Sequence, residues 1–298
     1  MNSPADKVLT YAIHDVTPYI NWIYFFHAWG FQPRFATIAD IHGCDACRAS
    51  WLTTFSEEDR AKAAEAMQLL KEANRMLNQL DETYHVHTIF RLCKANADGD
   101  NLLLDGTRFP LLRQQIPHPD GSPFLCLSDF VRPLASGTPD TVGIFAASCD
   151  GEVELLNEED PYKRMLLQTL ADRLAEAATE KMHEYVRKVA WGYAKDENLS
   201  IPELLKEKFQ GIRPAVGYPS LPDQSVNFLL NELLHMEQIG ITQNGAMRPH
   251  ATVCGLMLAH PAARYFAVGK IGNDQLEDYA RRRRMPINEV RKFLAANL

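Results

Sequence analysis

The segment SEEDRAKAAEAMQLLKEANRMLNQLDE, residues 56–82, constrains the fold more than any other stretch of this chain. Ser56 and Asp59 supply an S-x-x-D cap, after which Met67, Leu70, Leu77 and Leu80 recur near helical spacing. The spacing predicts a long amphipathic helix whose apolar stripe needs a partner surface. A second long helix is predicted over residues 161–190, with Leu166, Leu170, Leu174 and Ala178 on one stripe.

Short apolar runs fill the rest, and they come in pairs. TYHVHTIFRLCKA and DNLLLDG read as strands around the turn NADGD, and residues 105–123 form a Pro/Gly-rich connection. FLCLSDFV and TVGIFAAS read as strands around RPLASGTPD. SIPELLKEKFQG reads as a short charged helix, with Ser200 and Glu203 as a capping box and Gly211 just past its end. SVNFLLNELLHMEQIG predicts a helix closed by Gly240, and ATVCGLML with RYFAVGKI predicts a hairpin across AHPAA. NDQLEDYARRRR and INEVRKFLAANL finish the chain as helices. Paired strands without a regular strand–helix–strand repeat favour an α+β fold over a doubly wound sheet.

A chain of 298 residues, 46% hydrophobic and 23% charged, describes an ordinary soluble globular protein with enough length for a full core. The net charge of −7 argues against a nucleic-acid surface. No apolar run approaches the ~20 residues that span a bilayer, and MNSPADKVLT lacks the features of a signal peptide. No membrane association and a cytoplasmic location are the expectations. Six cysteines are too sparse for a disulfide scaffold, and Cys93, Cys126 and Cys254 lie in apolar runs that suit core thiols.

Several motifs come close to known chemistry. In ADIHGCDAC, Asp40 and His42 begin the D-x-H-x-x-G string of histidine-ligated cobalamin sites, but Asp45 replaces the glycine. Cys44 and Cys47 form a lone C-x-x-C with no second pair to close a zinc site. A redox pair is one reading of it, and a loop entering a helix is the favoured one. Asp98 and Asp100 suggest a calcium loop, yet Phe109 stands where an EF-hand needs glutamate, so a turn is expected. His85 and His87 share one side of a strand and read as a half-exposed pair. Arg281–Arg284 read as a solvated helix end or as a docking patch for an acidic partner. No G-x-S-x-G, G-x-G-x-x-G or P-loop string occurs, which turns attention from nucleophilic chemistry to binding.

The stretch GIRPAVGYPSLPDQS, residues 211–225, holds Arg213 and Tyr218 in a run stiffened by Pro214, Pro219 and Pro222. A guanidinium fork suits a carboxylate, and a rigid aromatic suits a flat ring. Ala215 and Gly217 leave room for backbone to approach a ligand. A rigid linker whose arginine caps the preceding carbonyls is the alternative from these residues alone.

This stretch, together with ADRLAEAATEKMHEYVRKVAWGYAKDENLS, FAVGKIGNDQLEDYARRRRM, PYINWIYFFHAWG and CLSDFVRP, resembles the activation domain of cobalamin-dependent methionine synthase. The resemblance runs from about residue 17 to the C-terminus and is densest after residue 165. It implies one activation-type domain over residues 1–298, with residues 1–16 as an N-terminal extension, and a bent antiparallel sheet flanked by long helices. It implies S-adenosylmethionine (AdoMet) as ligand and a cobalamin carried by a partner methionine synthase chain. A flavodoxin-type donor would supply the electron for reactivation, after which AdoMet remethylates the cobalamin. The chain is then a free-standing reactivation subunit that does not turn over alone. An AdoMet-binding sensor or adaptor without methyl transfer is the alternative.

The family's ligand positions carry over unevenly. Arg213, Ala215, Gly217, Tyr218 and Tyr265 match, while Phe266 stands where the family has a second tyrosine. Asn21 replaces an acid near the N-terminus, so it can accept from the ligand's ammonium without neutralising it. Glu176 and Glu207 match family carboxylates, although Arg173, three residues before Glu176, offers it a simple helical ion pair.

Overall fold

The computed structural model describes residues 6–41, 43–117, 119–156, 159–236 and 239–298. Its strands are β1 (Lys7–Ala12), β2 (His85–Asp98), β3 (Asn101–Leu104), β4 (Thr107–Pro110), β5 (Asp140–Cys149), β6 (Gly240–Ile241), β7 (Met247–Arg248) and β8 (Thr252–Met257). The first five helices are α1 (Ile13–Val16), α2 (Trp22–Ala28), α3 (Pro33–Ala36), α4 (Asp45–Thr53) and α5 (Glu57–Asp81). They are followed by α6 (Pro161–Tyr185), α7 (Ile201–Leu204), α8 (Val226–Leu234), α9 (Asn273–Arg283) and α10 (Ile287–Phe293).

Six strands form one antiparallel sheet in the order β4-β3-β2-β5-β8, with β1 also on β2. The fourteen-residue β2 organises it: β5 pairs with residues 86–95, while the opposite edge pairs first with β1 and then, beyond residue 94, with β3. Sharing one edge between two partners lets the sheet curl, which gives the α+β fold with a bent antiparallel sheet. Every residue of β5 from Val142 to Cys149 is buried, because helices cover both faces. Val142, Ile144 and Ala146 meet Leu230 and Leu234 of α8, while Phe145 meets Met182 of α6 and Val186 on the other side. α5 and α1 complete the α6 layer through Leu69, Leu77, Ile13 and Val16.

Both long helices form where the periodicity predicts them. The Ser56 side chain accepts the Asp59 N–H at the start of α5. α6 continues into a π-helical turn, Val186–Ala190, so helical structure spans the predicted 161–190. Cys93, Cys126 and Cys254 are core thiols. The charged segment around residue 203 is shorter than its sequence suggests. The capping box of Ser200 and Glu203 is present, but α7 stops at Leu204 and a turn with Glu207 at φ 55° follows.

Other expectations need correction. FLCLSDFV is a 3-10 turn over Leu127–Phe130, because the Asp129 carboxylate bonds back to the Cys126 N–H at 2.8 Å. The helix at SVNFLLNELLHMEQIG ends at Leu234, where His235 takes a left-handed conformation, and Gly240 instead opens β6. RYFAVGKI is not the hairpin partner of β8. The free edge of β8 is occupied by residues 212–216, which leaves that edge no donors or acceptors for a second strand.

This edge pairing depends on Gly255. A Cβ there would strike the Pro214 carbonyl oxygen and lie 2.8 Å from the Ala215 Cα, both backbone atoms. Gly255→Ala is expected to lower stability by about 1–3 kcal/mol in denaturant unfolding, the cost typical of an overpacked interior. An unchanged midpoint would mean that the loop is not tightly seated.

Candidate functional site

Residues 212–216 run along β8 like a seventh strand of the sheet. Ile212 and Leu258 exchange N–H···O bonds of 2.9 Å, the Leu256 N–H donates to Pro214 O at 3.0 Å, and the Val216 N–H donates to Cys254 O at 2.9 Å. Pro214 has no N–H, and none is required of it here, since it only accepts. Extended backbone alternates its side chains, so Ile212 enters the α8-side core while Arg213 turns toward α6. Gly217, at φ 86°, then reverses the chain with its N–H on Leu221 O at 2.9 Å, and this turn sets out Tyr218. Gly211, at φ 88°, packs against the Leu258 carbonyl and begins the run rather than ending a helix.

Between this loop and α6 lies a cleft of about 800 Å3. One wall is a stripe of α6 carrying Asp172, Arg173, Glu176 and Glu180 at helical spacing. The segments around Asn21 and Tyr24, around Glu207, and from Tyr265 to Ala267 close the remaining sides. Of the nine residues expected from sequence, Arg213, Ala215, Tyr218, Tyr265, Phe266, Asn21, Glu176 and Glu207 all line this one cleft. Gly217 does not line it and acts through the turn that positions Tyr218.

The local geometry gives these residues specific partners. Arg213 is 8% exposed, and its Nη2 donates to Glu180 Oε1. Its Nε and the second Glu180 oxygen, Oε2, are buried without a hydrogen-bond partner. Tyr218, half-exposed, donates its hydroxyl to Glu176 Oε1 at 2.6 Å, so Glu176 is bonded across the cleft to the loop. The Tyr265 hydroxyl accepts the Arg213 backbone N–H at 2.9 Å and fixes the start of the loop. Phe266 is held by its backbone, whose N–H donates to Ser220 Oγ at 3.1 Å while its carbonyl accepts the same hydroxyl. Asn21 caps α2, its Oδ1 accepting the Ile23 N–H at 3.1 Å, so its amide is anchored at the cleft rim.

Four carboxylates line the cleft against two guanidiniums, giving it a negative balance. Burial raises the Asp172 carboxyl above its usual range, and burial together with the nearby Glu180 charge does the same for Glu207. Those groups would gain from a cation placed among them. Burial also raises the Tyr218 and Tyr265 phenols, which stay protonated at neutral pH. The arrangement suits a zwitterionic or cationic organic ligand with an aromatic portion.

Sequence reasoning missed Glu180. The signal was there, since Glu180 follows Glu176 by one helical turn and so shares its face. Ser220 was missed as well, and nothing in its neighbours marks it.

The other motifs stay apart from the cleft. Cys44 is the N-cap of α4, as a loop entering a helix requires, and His42 lies outside the described residues. Asp98–Asp100 make the β2–β3 turn around Gly99 at φ 58°. His87 bonds Asp150 at 2.7 Å. In the arginine run, Arg282 reaches the Leu111 carbonyl and Arg283 the Ser225 carbonyl, leaving Arg281 and Arg284 as the exposed members. Among the described residues no three His, Cys, Asp or Glu cluster as a metal site would need, and no helix is long and apolar enough to cross a membrane.

Comparison with known proteins agrees with this architecture. The family described as vitamin B12 dependent methionine synthase, activation domain, matches residues 12–284. A crystal structure of the MetH reactivation domain bound to AdoHcy is 36% identical to this chain, with a TM-score of 0.85. The match covers 100% of this chain and 91% of that one. The chain belongs to the family of vitamin B12-dependent methionine synthase activation domains.

Proposed function

We propose that the cleft binds AdoMet and that the chain serves a cobalamin-carrying methionine synthase partner by presenting the ligand's methyl group during reactivation. The observation that carries this reading is the convergence of eight residues from five stretches of sequence on one cleft around the buried Arg213–Glu180 pair. The related reactivation domain bound to AdoHcy, the demethylated counterpart of AdoMet, supports the ligand class.

The charges fit such a ligand. AdoMet carries a carboxylate, an ammonium and a sulfonium, for a net positive charge. Arg213 places a guanidinium at the cleft wall for the carboxylate, and Glu176, Glu180, Glu207 and Asp172 surround the space left for the two cations. Tyr218 and Phe266 supply flat apolar surface for the adenine, and Asn21 offers an amide at the rim. The ligand is held at an open mouth, where Tyr24 is 60% exposed and the neighbouring Ile23 48%. A partner's cofactor can be brought against it there.

The contribution of this chain is positioning. Holding a methyl donor in line with its acceptor converts an encounter into an effectively intramolecular step. Cobalamin, when carried by the partner, supplies the methyl-accepting metal centre, and a flavodoxin-type donor is the proposed electron source. No residue of this chain needs to act as nucleophile or base, so the isolated chain binds without turning over.

Calorimetric titration with AdoMet tests the reading. One saturable site is expected, weakened about tenfold to hundredfold by Arg213→Ala, the equivalent of roughly 1.5–3 kcal/mol for a charge-assisted contact. Thermal unfolding of the variant separates lost contact from lost fold, and Glu180→Gln serves as a second probe of the pair. Wild-type protein that binds no AdoMet, alone or with a cobalamin partner, would sink the proposal.

The raised carboxyls give a second test. Acidification protonates Glu207 and Asp172 before ordinary carboxyls, so AdoMet affinity is expected to fall as pH drops through their raised pKa values. AdoHcy, lacking the sulfonium charge, should be affected less. Equal pH dependence for the two ligands would show that these carboxylates do not read the charge.

A further inference from the structure

Away from the cleft, α4 begins with two thiols in contact. Cys44 is its N-cap and Cys47 lies in its first turn, with their Sγ atoms 2.6 Å apart. The Cys47 N–H also donates to Cys44 Sγ at 3.2 Å. Both residues are partly exposed, whereas Cys93, Cys126, Cys149 and Cys254 are buried. The C-x-x-C spacing at the start of a helix therefore brings two sulfurs within reach of a bond while leaving them open to a small reagent.

The two sulfurs are not equivalent. Cys44 sits at the end of the helix where backbone N–H groups point outward, and it receives one of them, an environment that favours a thiolate. The Cys47 thiol is pushed up by its hydrogen bond with Cys44, which suits it to react second. Burial raises the thiols of Cys93, Cys126, Cys149 and Cys254, which removes them from competition.

We propose that Cys44 and Cys47 form a reversible dithiol–disulfide site that exchanges electrons with low-molecular-weight disulfides. The Cys44 thiolate attacks one sulfur of glutathione disulfide, breaking that S–S bond and releasing one glutathione thiolate. Cys47 then passes its proton to the departed thiolate and attacks Cys44 Sγ. The mixed disulfide breaks, the second glutathione leaves as a thiolate and takes up from solvent the proton that Cys44 had released, and the Cys44–Cys47 bond forms. The protein loses two electrons and two protons, and one glutathione disulfide becomes two molecules of glutathione. A closed disulfide takes Cys44 Sγ out of its thiol-cap role, so the redox state is registered at the entry to α4.

The test is equilibration of the full chain in anaerobic mixtures of reduced and oxidised glutathione, followed by acid quenching, alkylation and peptide mapping. Loss of two alkylatable thiols, both from the peptide that carries Cys44 and Cys47, is expected with a single two-electron midpoint. Cys47→Ser is expected to retain a stable glutathione adduct on Cys44, and Cys44→Ser to react about tenfold more slowly, as its thiolate fraction falls. AdoMet titration should be unchanged in both variants, which keeps this site separate from the cleft. Two thiols that remain alkylatable in fully oxidised buffer would overturn the proposal. So would a wild-type protein that stops at the mixed disulfide, and equal rates in the two variants would overturn the assignment of Cys44 as attacking sulfur.

Discussion

A guanidinium buried as deeply as Arg213 needs a counter-charge, because an isolated ion in the interior costs several kcal/mol. Glu180 supplies it, and with it the link between the two layers that make the cleft. Glu180 belongs to α6, packed against one face of the sheet, while Arg213 belongs to the run attached to the edge of β8. The pair therefore links the helix wall of the cleft to its loop wall. It is also incompletely satisfied, with Arg213 Nε and Glu180 Oε2 left without partners.

The cleft is thus assembled from three devices of different kinds. Helical periodicity lines up the acids of α6, backbone hydrogen bonding along a strand edge aims Arg213, and a glycine turn sets out Tyr218. The bond from Tyr218 to Glu176 then closes a second bridge between the layers, parallel to the Arg213–Glu180 pair. Two cross-links of this sort make the wall geometry a property of the sheet and α6 together. The thiol pair at α4 stands outside this frame and is controlled by its own helix end.

How much was legible in the sequence follows from which forces are local. α5 and α6 were visible because their stripes and the Ser56 cap are encoded within the helices themselves. TVGIFAAS was visible because a strand covered on both faces is apolar throughout. RYFAVGKI misled, since its composition suits a strand but the edge it would have joined was already taken by residues 212–216. That competition is a tertiary fact with no local signature. β1 was passed over for a related reason: its six residues alternate little in burial and gain their structure from β2. At the cleft, the Arg-Pro-Ala-x-Gly-Tyr-Pro string announced itself by rigidity, yet the partner that anchors Arg213 lies 33 residues away on α6 and emerged only once the fold was known.

The occupation of β8 by residues 212–216 carries one more consequence. An uncovered strand edge is a template on which another chain can add, and proteins that leave one long and flat risk aggregation. Here the edge is sealed by the same short run that aims Arg213 into the cleft, with Gly255 making the seal possible. Edge protection and cleft shape therefore draw on the same residues. A substitution that loosened this run would therefore uncover the β8 edge and displace Arg213 from the cleft wall in one step, so the two effects would be inherited together.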